Sequence, residues 1–268
     1  MNPFRVISCS LSPNTNRSDL IRACSLIFSS FKDSKEYKKT CEQWFIHRYH
    51  PVDFRFFLSG RQAMTALLSA FGIGEGDEVI IQAFTCMVVA NAIHGAGATV
   101  KYADIDTSYN LTVQSIKKVV TKKTKAIIVQ HTFSIPADIV AIREYTQKTG
   151  IILIEDLAHG FGAKVNAIPL GSFGDGTVFS FGRDKSVSSV WGGAAMILPS
   201  GKNKIKTGLH KVPMESKTGT WVKKQLLHPI ILTIAIHTYL LGIGKFLIEA
   251  AKRMGILSRP VSDDEKQG

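Results

Sequence analysis

Small and polar residues follow four apolar runs of the chain, and these residues include groups that could bind a ligand or carry a proton. The four places are Ser59–Gln62, Phe84–Cys86, Asp156–His159 and Ser180–Lys185. In an open α/β sheet, ligands bind beyond the carboxyl ends of the strands. If the preceding runs are neighbouring strands of one sheet, the four places meet at one edge of that sheet.

Each of these places is a weak signal alone, but together they indicate one chemistry. Ser59 and Gly60 before a helix offer backbone N–H groups to a phosphate, although glycine turns are common in α/β proteins. Asp156 could face a ligand cation or cap a helix, and Lys185 could be a solvated charge. Pyridoxal phosphate needs four groups: an anion-binding turn, a carboxylate, a side chain that packs on the face of its ring, and a lysine. The four places together supply these groups.

The elements that must position these residues alternate between strand and helix. A spacing of roughly 25 residues between strands is typical of βαβ units and a parallel sheet. Continuous apolar runs such as EVIIQ and IILI indicate strands buried on both faces. The predicted fold is therefore an α/β three-layer αβα sandwich with a mostly parallel sheet. The predicted strands are Phe54–Leu58, Glu78–Gln82, Thr99–Ala103, Lys125–Gln130, Ile151–Glu155, Gly176–Phe181 and Ala194–Leu198. The predicted helices are Arg61–Phe71, Thr85–His94, Leu111–Val120 and Pro136–Thr149, preceded by a less regular helix that Ser18-Asp19 could cap.

A series of motifs between Phe54 and Pro199 resembles the DegT/DnrJ/EryC1/StrS aminotransferases, in order and in spacing. This resemblance implies the type I large-domain fold of pyridoxal-phosphate transferases and an activity as a sugar aminotransferase. The whole series carries the resemblance, and no single motif does. The matching stretches are SGRQAM, GDEVIIQAFTC, ATVKYADID, TKAIIVQHTF, IEDLAHGFGA, GSFGDGTVFSFGRDK and WGG.

The resemblance also implies a role for each candidate residue. Lys185 matches the catalytic lysine that forms a Schiff base with the cofactor. Asp156 matches the acid on the pyridine nitrogen, and His159 matches the residue that contacts the ring hydroxyl. Cys86 stands where many members place an aromatic ring on the cofactor face. The groups that match the phosphate contacts are Ser180, Gly60, Arg61 and Gln62, with Arg61 in place of a threonine that many members have.

The reaction that the resemblance implies moves an amino group from an amino acid, with glutamate expected, to a nucleotide-linked ketosugar. Polysaccharide or amino-sugar biosynthesis is the expected setting, and a homodimer the expected assembly. The chain ends at Gly268 without the family's small C-terminal domain or its Gly-x-Asn segment. The alternative is therefore a truncated or degenerate paralogue that binds pyridoxal phosphate without turnover. A sugar dehydratase of the same family usually replaces the lysine, and Lys185 argues against that reading.

The composition and net charge of the chain bear on the other possible functions, such as nucleic-acid binding and metal binding. Lys and Arg number 33 against 21 Asp and Glu, giving a net charge of +12, which suits nucleic acid, a membrane surface or a phosphorylated small molecule. No nucleic-acid-binding signature is present. No metal site is predicted, because no Cys or acid cluster completes His47 and His50. Four dispersed cysteines predict buried or incidental thiols in a reducing cytosol, and the absence of an apolar N-terminal run argues against a signal peptide.

The predicted organisation is an N-terminal segment (1–53), a cofactor-binding large domain (54–200) and a basic, apolar and helical C-terminal segment (201–268). The apolar run Ile230–Ile248 is about as long as a membrane span. It contains His237 and Lys245, which favours a buried or oligomer-facing helix. Peripheral membrane contact through 221–257, next to the basic stretch 200–224, is the alternative. The protein is accordingly expected in the cytoplasm, with membrane association left open.

Overall fold

The computed structural model describes residues 15–28, 34–213, 217–255 and 257. Cys9, one of the four dispersed cysteines, and residues 258–268, the end of the predicted C-terminal segment, lie outside the described residues. The helices are α1 (Arg17–Ile27), α2 (Ser34–Tyr49), α3 (Gly60–Ala70), α4 (Met87–Gly95), α5 (Val113–Val119), α6 (Ile139–Thr149), α7 (Gly219–His237) and α8 (Ile243–Arg253). The strands are β1 (Asp53–Phe57), β2 (Glu78–Gln82), β3 (Thr99–Ala103), β4 (Thr124–Gln130), β5 (Ile152–Asp156), β6 (Lys164–Val165), β7 (Ile168–Pro169), β8 (Gly176–Ser180) and β9 (Gly193–Ile197).

Seven strands form one mostly parallel sheet in the order β1-β9-β8-β5-β4-β2-β3. Strands β3, β2, β4, β5 and β8 run parallel, whereas β9 is antiparallel to both β8 and β1. The carboxyl ends of the parallel strands therefore share one edge, with Gln130 beside Asp156 in the register of β4 and β5. This arrangement confirms the predicted α/β class.

Helices cover both faces of this sheet. Consecutive residues of the central strands, such as Ile127 and Ile128, are fully buried, as expected for strands with no solvent-facing side. Helices α3 and α4 share one apolar cluster with alternate strand residues that include Ile128. The fully buried Ile116 of α5 and Ile142 of α6 lie outside that cluster. The sheet is thus the middle layer of three.

The described residues fall into two compact units. The sheet unit comprises 39–180 and 192–214, and the helical unit comprises the described parts of 1–38, 181–191 and 215–268. Ser180 belongs to the sheet unit, and Lys185, five residues further on, belongs to the helical unit. The predicted division at residues 53 and 200 stays a prediction.

Several helix starts differ from prediction, and in α1 and α6 the capping side chain is the reason. Helix α1 begins after Asn16, whose side chain accepts the Asp19 N–H in a capping box, and not after Ser18. Ile21 and Phe28, which the spacing of apolar residues predicts on the inward face of this helix, are 60% and 89% exposed. Helix α6 begins at Ile139 and not at Pro136, because Asp138 accepts the Ala141 N–H at 3.2 Å. Asx side chains at an N-cap satisfy donors that a proline cannot.

The apolar run 230–248 is not one helix. Helix α7 ends at His237, a short 3₁₀ turn follows, and Gly242 adopts φ +74° before α8 starts. Glycine tolerates that left-handed conformation without a steric cost. Across the described ranges, no helix has both the length and the apolar character needed to cross a bilayer. Thus the predicted single long helix is wrong, and the chain turns back as a pair of helices.

A buried histidine makes the helical unit sensitive to pH. His228 of α7 is fully buried, and neither ring nitrogen has a hydrogen-bond partner among the residues that the structure describes. Burial, and after it the positive charge of Arg183, lowers the pKa of His228 to about 4. An unfolded histidine has a pKa near 6.5, so between these values the unfolded chain binds the extra proton. The free energy of unfolding therefore has its full value above about pH 6.5 and decreases as the pH drops toward 4.

We expect this single proton to contribute a slope of at most about 1.4 kcal/mol per pH unit to the free energy of unfolding. The measurement is urea unfolding of the wild type and His228→Leu between pH 7.5 and 4.5. In His228→Leu, the dependence of the free energy of unfolding on pH should be smaller by that amount. His237→Gln, an exposed position on the same helix, should keep the dependence of the wild type. Parallel slopes in all three proteins would contradict the assignment to His228.

Candidate active site

The start of helix α3 is fixed by reciprocal hydrogen bonds. Ser59 is the N-cap, and its Oγ accepts the Gln62 N–H at 3.1 Å. The Gln62 side chain reaches back, and its Oε1 accepts the Leu58 N–H at 3.1 Å. A helix N-terminus carries partial positive charge from its aligned peptide dipoles. The turn after β1 therefore presents a rigid, positively polarised end at the sheet edge.

Ser180 lies directly against this end of α3. A Cβ placed on Gly60 would be 2.8 Å from Ser180 Cβ and 3.1 Å from Ser180 Oγ. A Cβ on Gly193 would be 2.5 Å from the Gly60 nitrogen. Only glycine fits such approaches, because real Cβ atoms do not come so close. A serine hydroxyl and a helix N-terminus, 120 residues apart in sequence, thus meet where an anion could bind.

Asp156 is the last residue of β5 and does not cap a helix. Its side chain is 5% exposed. Its Oδ2 accepts the Gln130 Nε2 amide at 3.0 Å, and its Oδ1 accepts the Ala158 N–H at 2.9 Å. Both oxygens are held, which fixes the plane of the carboxylate. Sequence reasoning missed Gln130, although its place at the end of β4 is the same signal that singled out Asp156.

The ring of His159 is stacked on Phe133, with ring centroids 6.1 Å apart and planes 8° from parallel. The Ser134 hydroxyl donates to the His159 carbonyl oxygen at 2.5 Å. Phe133 and Ser134 have φ values of 52° and 66°, which are unfavourable for residues with a Cβ. Strained backbone of this kind occurs most often at functional sites. The sequence contains no signal for this loop conformation or for the stacked pair.

Arg61, the second residue of α3, has a half-buried guanidinium. Burial lowers the pKa of this guanidinium, and a smaller electrostatic contribution from Cys86 raises it. Cys86 is the exposed N-cap of α4, and its side chain makes no capping hydrogen bond. A guanidinium near the N-terminus of α3 adds a full positive charge to the partial charge of the helix.

Lys185 lies in the segment 181–191 of the helical unit. Its Nζ is 3.5 Å from Asp184 Oδ2, and its backbone N–H donates to the Gly182 carbonyl oxygen at 3.0 Å. The described geometry thus brings Gly60 and Ser180 into contact and sets Asp156 on the same sheet edge. The roles of these residues and of Lys185 stay predictions.

Comparison with known families gives one match that spans most of the chain. A family model described as the DegT/DnrJ/EryC1/StrS aminotransferase family matches residues 43–225. That range contains every candidate site residue, from Gly60 to Lys185. The match begins within α2 and ends within α7.

Individual relatives match a shorter part. A UDP-N-acetyl-3-dehydro-alpha-D-glucosamine 3-aminotransferase from Acidithiobacillus ferrooxidans is 39% identical over 52% of this chain and 38% of its own length. A GDP-perosamine synthase from Escherichia coli O157:H7 is 34% identical over 65% of this chain and 46% of its own length. The E. coli structure of GDP-4-keto-6-deoxy-D-mannose-3-dehydratase with bound hydrated PLP is 26% identical, with a TM-score of 0.62 over 72% of this chain and 51% of that one. The chain spans less than half the length of the two curated relatives named here.

Proposed function

Because this chain belongs to the DegT/DnrJ/EryC1/StrS aminotransferase family, we propose that it is a pyridoxal-phosphate-dependent sugar aminotransferase. The proposed amino donor is glutamate, and the acceptor is a ketosugar attached to a nucleotide, in polysaccharide or amino-sugar biosynthesis. The relatives named for UDP- and GDP-linked sugars support that acceptor class. A net charge of +12 also suits a nucleotide diphosphate.

The proposed enzyme is a cytoplasmic homodimer. The dimer follows from the family resemblance. A reducing compartment is supported by Cys24, Cys41 and Cys86, which are free and exposed and were predicted to be buried or incidental.

The observation that carries the proposal is the contact between Gly60 and Ser180 at the N-terminus of α3. A phosphate bound there would meet a hydroxyl donor, the helix dipole and the charge of Arg61. The missing Cβ atoms at Gly60 and Gly193 let Ser180 and β9 pack closely against the start of α3. The donor set therefore fits the phosphate of pyridoxal phosphate. Gln62 contributes by fixing the turn through its bond to Leu58.

The remaining residues of the edge suit the ring of the same cofactor. When bound, pyridoxal phosphate supplies an aldehyde that takes up an amino group and a ring that delocalises electrons. We propose that the Asp156 carboxylate keeps the ring nitrogen protonated. Gln130 sets the plane of this carboxylate through its hydrogen bond to Oδ2. We assign to His159 the contact with the ring hydroxyl, and to Cys86 a place on the ring face, where a thiol stacks less well than an aromatic ring would.

Lys185 is the proposed catalytic residue. Its Nζ would hold the cofactor covalently until the amino group of the donor takes its place, and the free amine would then carry the proton that leaves the donor α-carbon. The dehydratase of similar fold shows that this fold also supports another sugar chemistry. Lys185 favours amino transfer, because the family's dehydratases usually replace this lysine. The second candidate is a paralogue that binds the cofactor without turnover, and addition of glutamate separates it from the first.

The test is a visible absorption titration of the purified chain with pyridoxal phosphate, followed by glutamate. We expect Gly60→Ala to weaken cofactor binding about tenfold or more, because its Cβ would displace the Ser180 hydroxyl from the phosphate position. Gly219→Ala, where a Cβ meets nothing within 4 Å, should bind like the wild type. Glutamate should then remove the cofactor band and release 2-oxoglutarate.

The outcomes separate the two candidates. A band that forms and persists with glutamate indicates a cofactor-binding paralogue. No band in the wild type, or equal binding by Gly60→Ala, would contradict the proposed phosphate site.

A further inference from the structure

Helices α7 and α8 of the helical unit pack against each other, and this contact buries one face of α8. Gly244 of α8 lies so close to α7 that a Cβ on it would overlap the carbonyl oxygen of Ala235. Leu232 of α7 and Ala251 of α8 are buried in one cluster with Leu257. The face of α8 that carries Gly244 and Ala251 is therefore fixed against α7, and this contact defines which of its other side chains point outward.

An apolar stripe runs along α8 beside that buried face. It consists of Leu241, Ile243, Phe246 and Met254, which are 74%, 51%, 73% and 62% exposed. Positions 243, 246 and 254 recur with the period of an α-helix and so lie on one side of it. Single exposed apolar residues are ordinary, but a contiguous stripe of large ones marks a surface that binds something. No residue that the structure describes covers these four side chains.

The segment that carries this stripe is basic. The segment 219–253 contains five Lys or Arg residues and a single acid, Glu249. That acid is partly neutralised within α8, because Arg253 Nε lies 3.5 Å from its Oε1. Lys245 and Lys252 are exposed on the same helix. The five cations of the segment are Lys223, Lys224, Lys245, Lys252 and Arg253.

This combination of groups favours one kind of partner. Anionic headgroups attract Lys and Arg near a bilayer surface, and the acyl boundary accepts Phe, Ile, Leu and Met. A second copy of this chain would bring the same positive charge to the contact and be repelled. Free nucleotides or nucleic acid would pair with the cations and leave Phe246 and Leu241 in water.

We propose that α8 binds the surface of a membrane that contains anionic lipid. The helix lies in the plane of the interface with its apolar stripe about 5–10 Å into the headgroup and acyl boundary. Lys245 and Lys252 are exposed on the side of α8 away from the stripe, where they stay in water but within reach of the surface potential of anionic headgroups. This agrees with the finding that no described helix is suited to span the bilayer. The proposal is independent of the chemistry assigned to the sheet unit.

The experiment is sedimentation of the whole chain with phosphatidylcholine vesicles that contain or lack roughly 30 mol% phosphatidylserine. We expect binding to the anionic vesicles, weaker by about tenfold or more on neutral ones and in high salt. The double variant Ile243→Ser/Phe246→Ser should lose roughly tenfold or more in binding, because two large apolar side chains no longer leave water. Ile168→Ser, which removes an exposed apolar side chain of the β6–β7 hairpin, should bind like the wild type.

Two controls keep the result interpretable. Circular dichroism checks that the double variant remains folded, since neither substitution touches the Gly244 contact. Phe246→Trp should show a blue-shifted emission with anionic vesicles only, which reports burial at that position. Absence of vesicle binding, or equal binding to neutral vesicles, would overturn the proposal. A concentration-dependent dimer that the double variant loses would overturn it as well, since a second copy would then cover the stripe.

Discussion

Replacement of Lys185 by alanine should lower the rate of amino transfer by about 10³-fold or more. The variant loses both the covalent attachment of the cofactor and the amine that carries the proton at the donor α-carbon. Loss of the ion contact with Asp184, 3.5 Å away, is a minor effect because the Asp184 side chain is 49% exposed and solvent screens its charge. The expected result is therefore a folded protein that still holds cofactor through the Gly60–Ser180 site but does not turn over.

Three readouts distinguish a catalytic lysine from a structural one. Borohydride treatment of the loaded wild type should fix the cofactor to the peptide that contains Lys185, identified by mass, and fix nothing in the variant. Added methylamine should restore part of the activity of Lys185→Ala, because a small amine can take over the proton transfer. Lys202→Ala, at an exposed position, should transfer amino groups like the wild type.

Each result that contradicts this expectation leads to a different conclusion about Lys185. Full turnover by Lys185→Ala would remove Lys185 from the mechanism. Fixation of the cofactor to another lysine would relocate the catalytic amine within the chain. A wild type that is labelled at Lys185 but releases no keto acid would support the cofactor-binding paralogue.

The central strands could be predicted well because their sequence has one physical explanation. Runs such as EVIIQ are apolar at every position and are bounded by turn residues, which suits a strand buried on both faces. Strands β2 and β3 begin and end at the predicted residues. Helix starts were less accurate, because a cap depends on which polar side chain reaches a free N–H. Asp138 made this contact in α6, and the predicted start at Pro136 was wrong.

The sequence predicted that the candidate residues lie at one edge of the sheet, but it did not predict the contacts between them. Strands β1 and β8 point the same way because each is antiparallel to β9 between them, so their carboxyl ends lie at one edge. The contact of Gly60 with Ser180 also depends on the missing Cβ of Gly193 in β9, which no strand pattern predicts. The bond between Gln130 and Asp156 depends on register, which a sequence does not give. The stack of Phe133 on His159 depends on two unfavourable φ values that only tertiary packing maintains.

The C-terminal run shows why hydropathy alone misleads. Ile230–Ile248 has the length of a membrane span, and its composition does not reveal where the helix stops. Gly242 permits a left-handed turn, and Gly244 lets α8 approach α7 closely. The apolar residues are then divided between a packed face and an exposed stripe. The same composition is thus distributed over two helices, only one part of it facing solvent.

A second large effect is expected at Glu155, which is fully buried next to Asp156. Its Oε1 accepts the N–H groups of Phe173 and Gly174 at 2.7 and 2.8 Å, and its Oε2 accepts the Gly171 N–H at 2.8 Å. The carboxylate therefore ties the turn before β8, the strand that ends at Ser180, to β5.

His131 completes the surroundings of this carboxylate. Its Nδ1 accepts the Ala137 N–H at 3.2 Å, so the ring proton lies on Nε2 and points to Glu155 Oε2, 3.3 Å away. Glu155 thus faces four N–H groups inside the protein: three from the backbone and one from the His131 ring.

We expect Glu155→Ala to lower the free energy of unfolding by about 3–5 kcal/mol, because three backbone N–H groups and the His131 N–H lose their acceptor inside the protein. Glu155→Gln keeps one carbonyl oxygen and should lose less, and Glu144→Ala, at an exposed position of α6, should change stability by under about 0.5 kcal/mol. Urea unfolding of the three variants and the wild type measures these differences. A loss below about 1 kcal/mol in Glu155→Ala would show that water replaces the carboxylate at the amides. In that case Glu155 does not hold the turn before β8, and the position of Ser180 against α3 depends on β8 and its neighbouring strands alone.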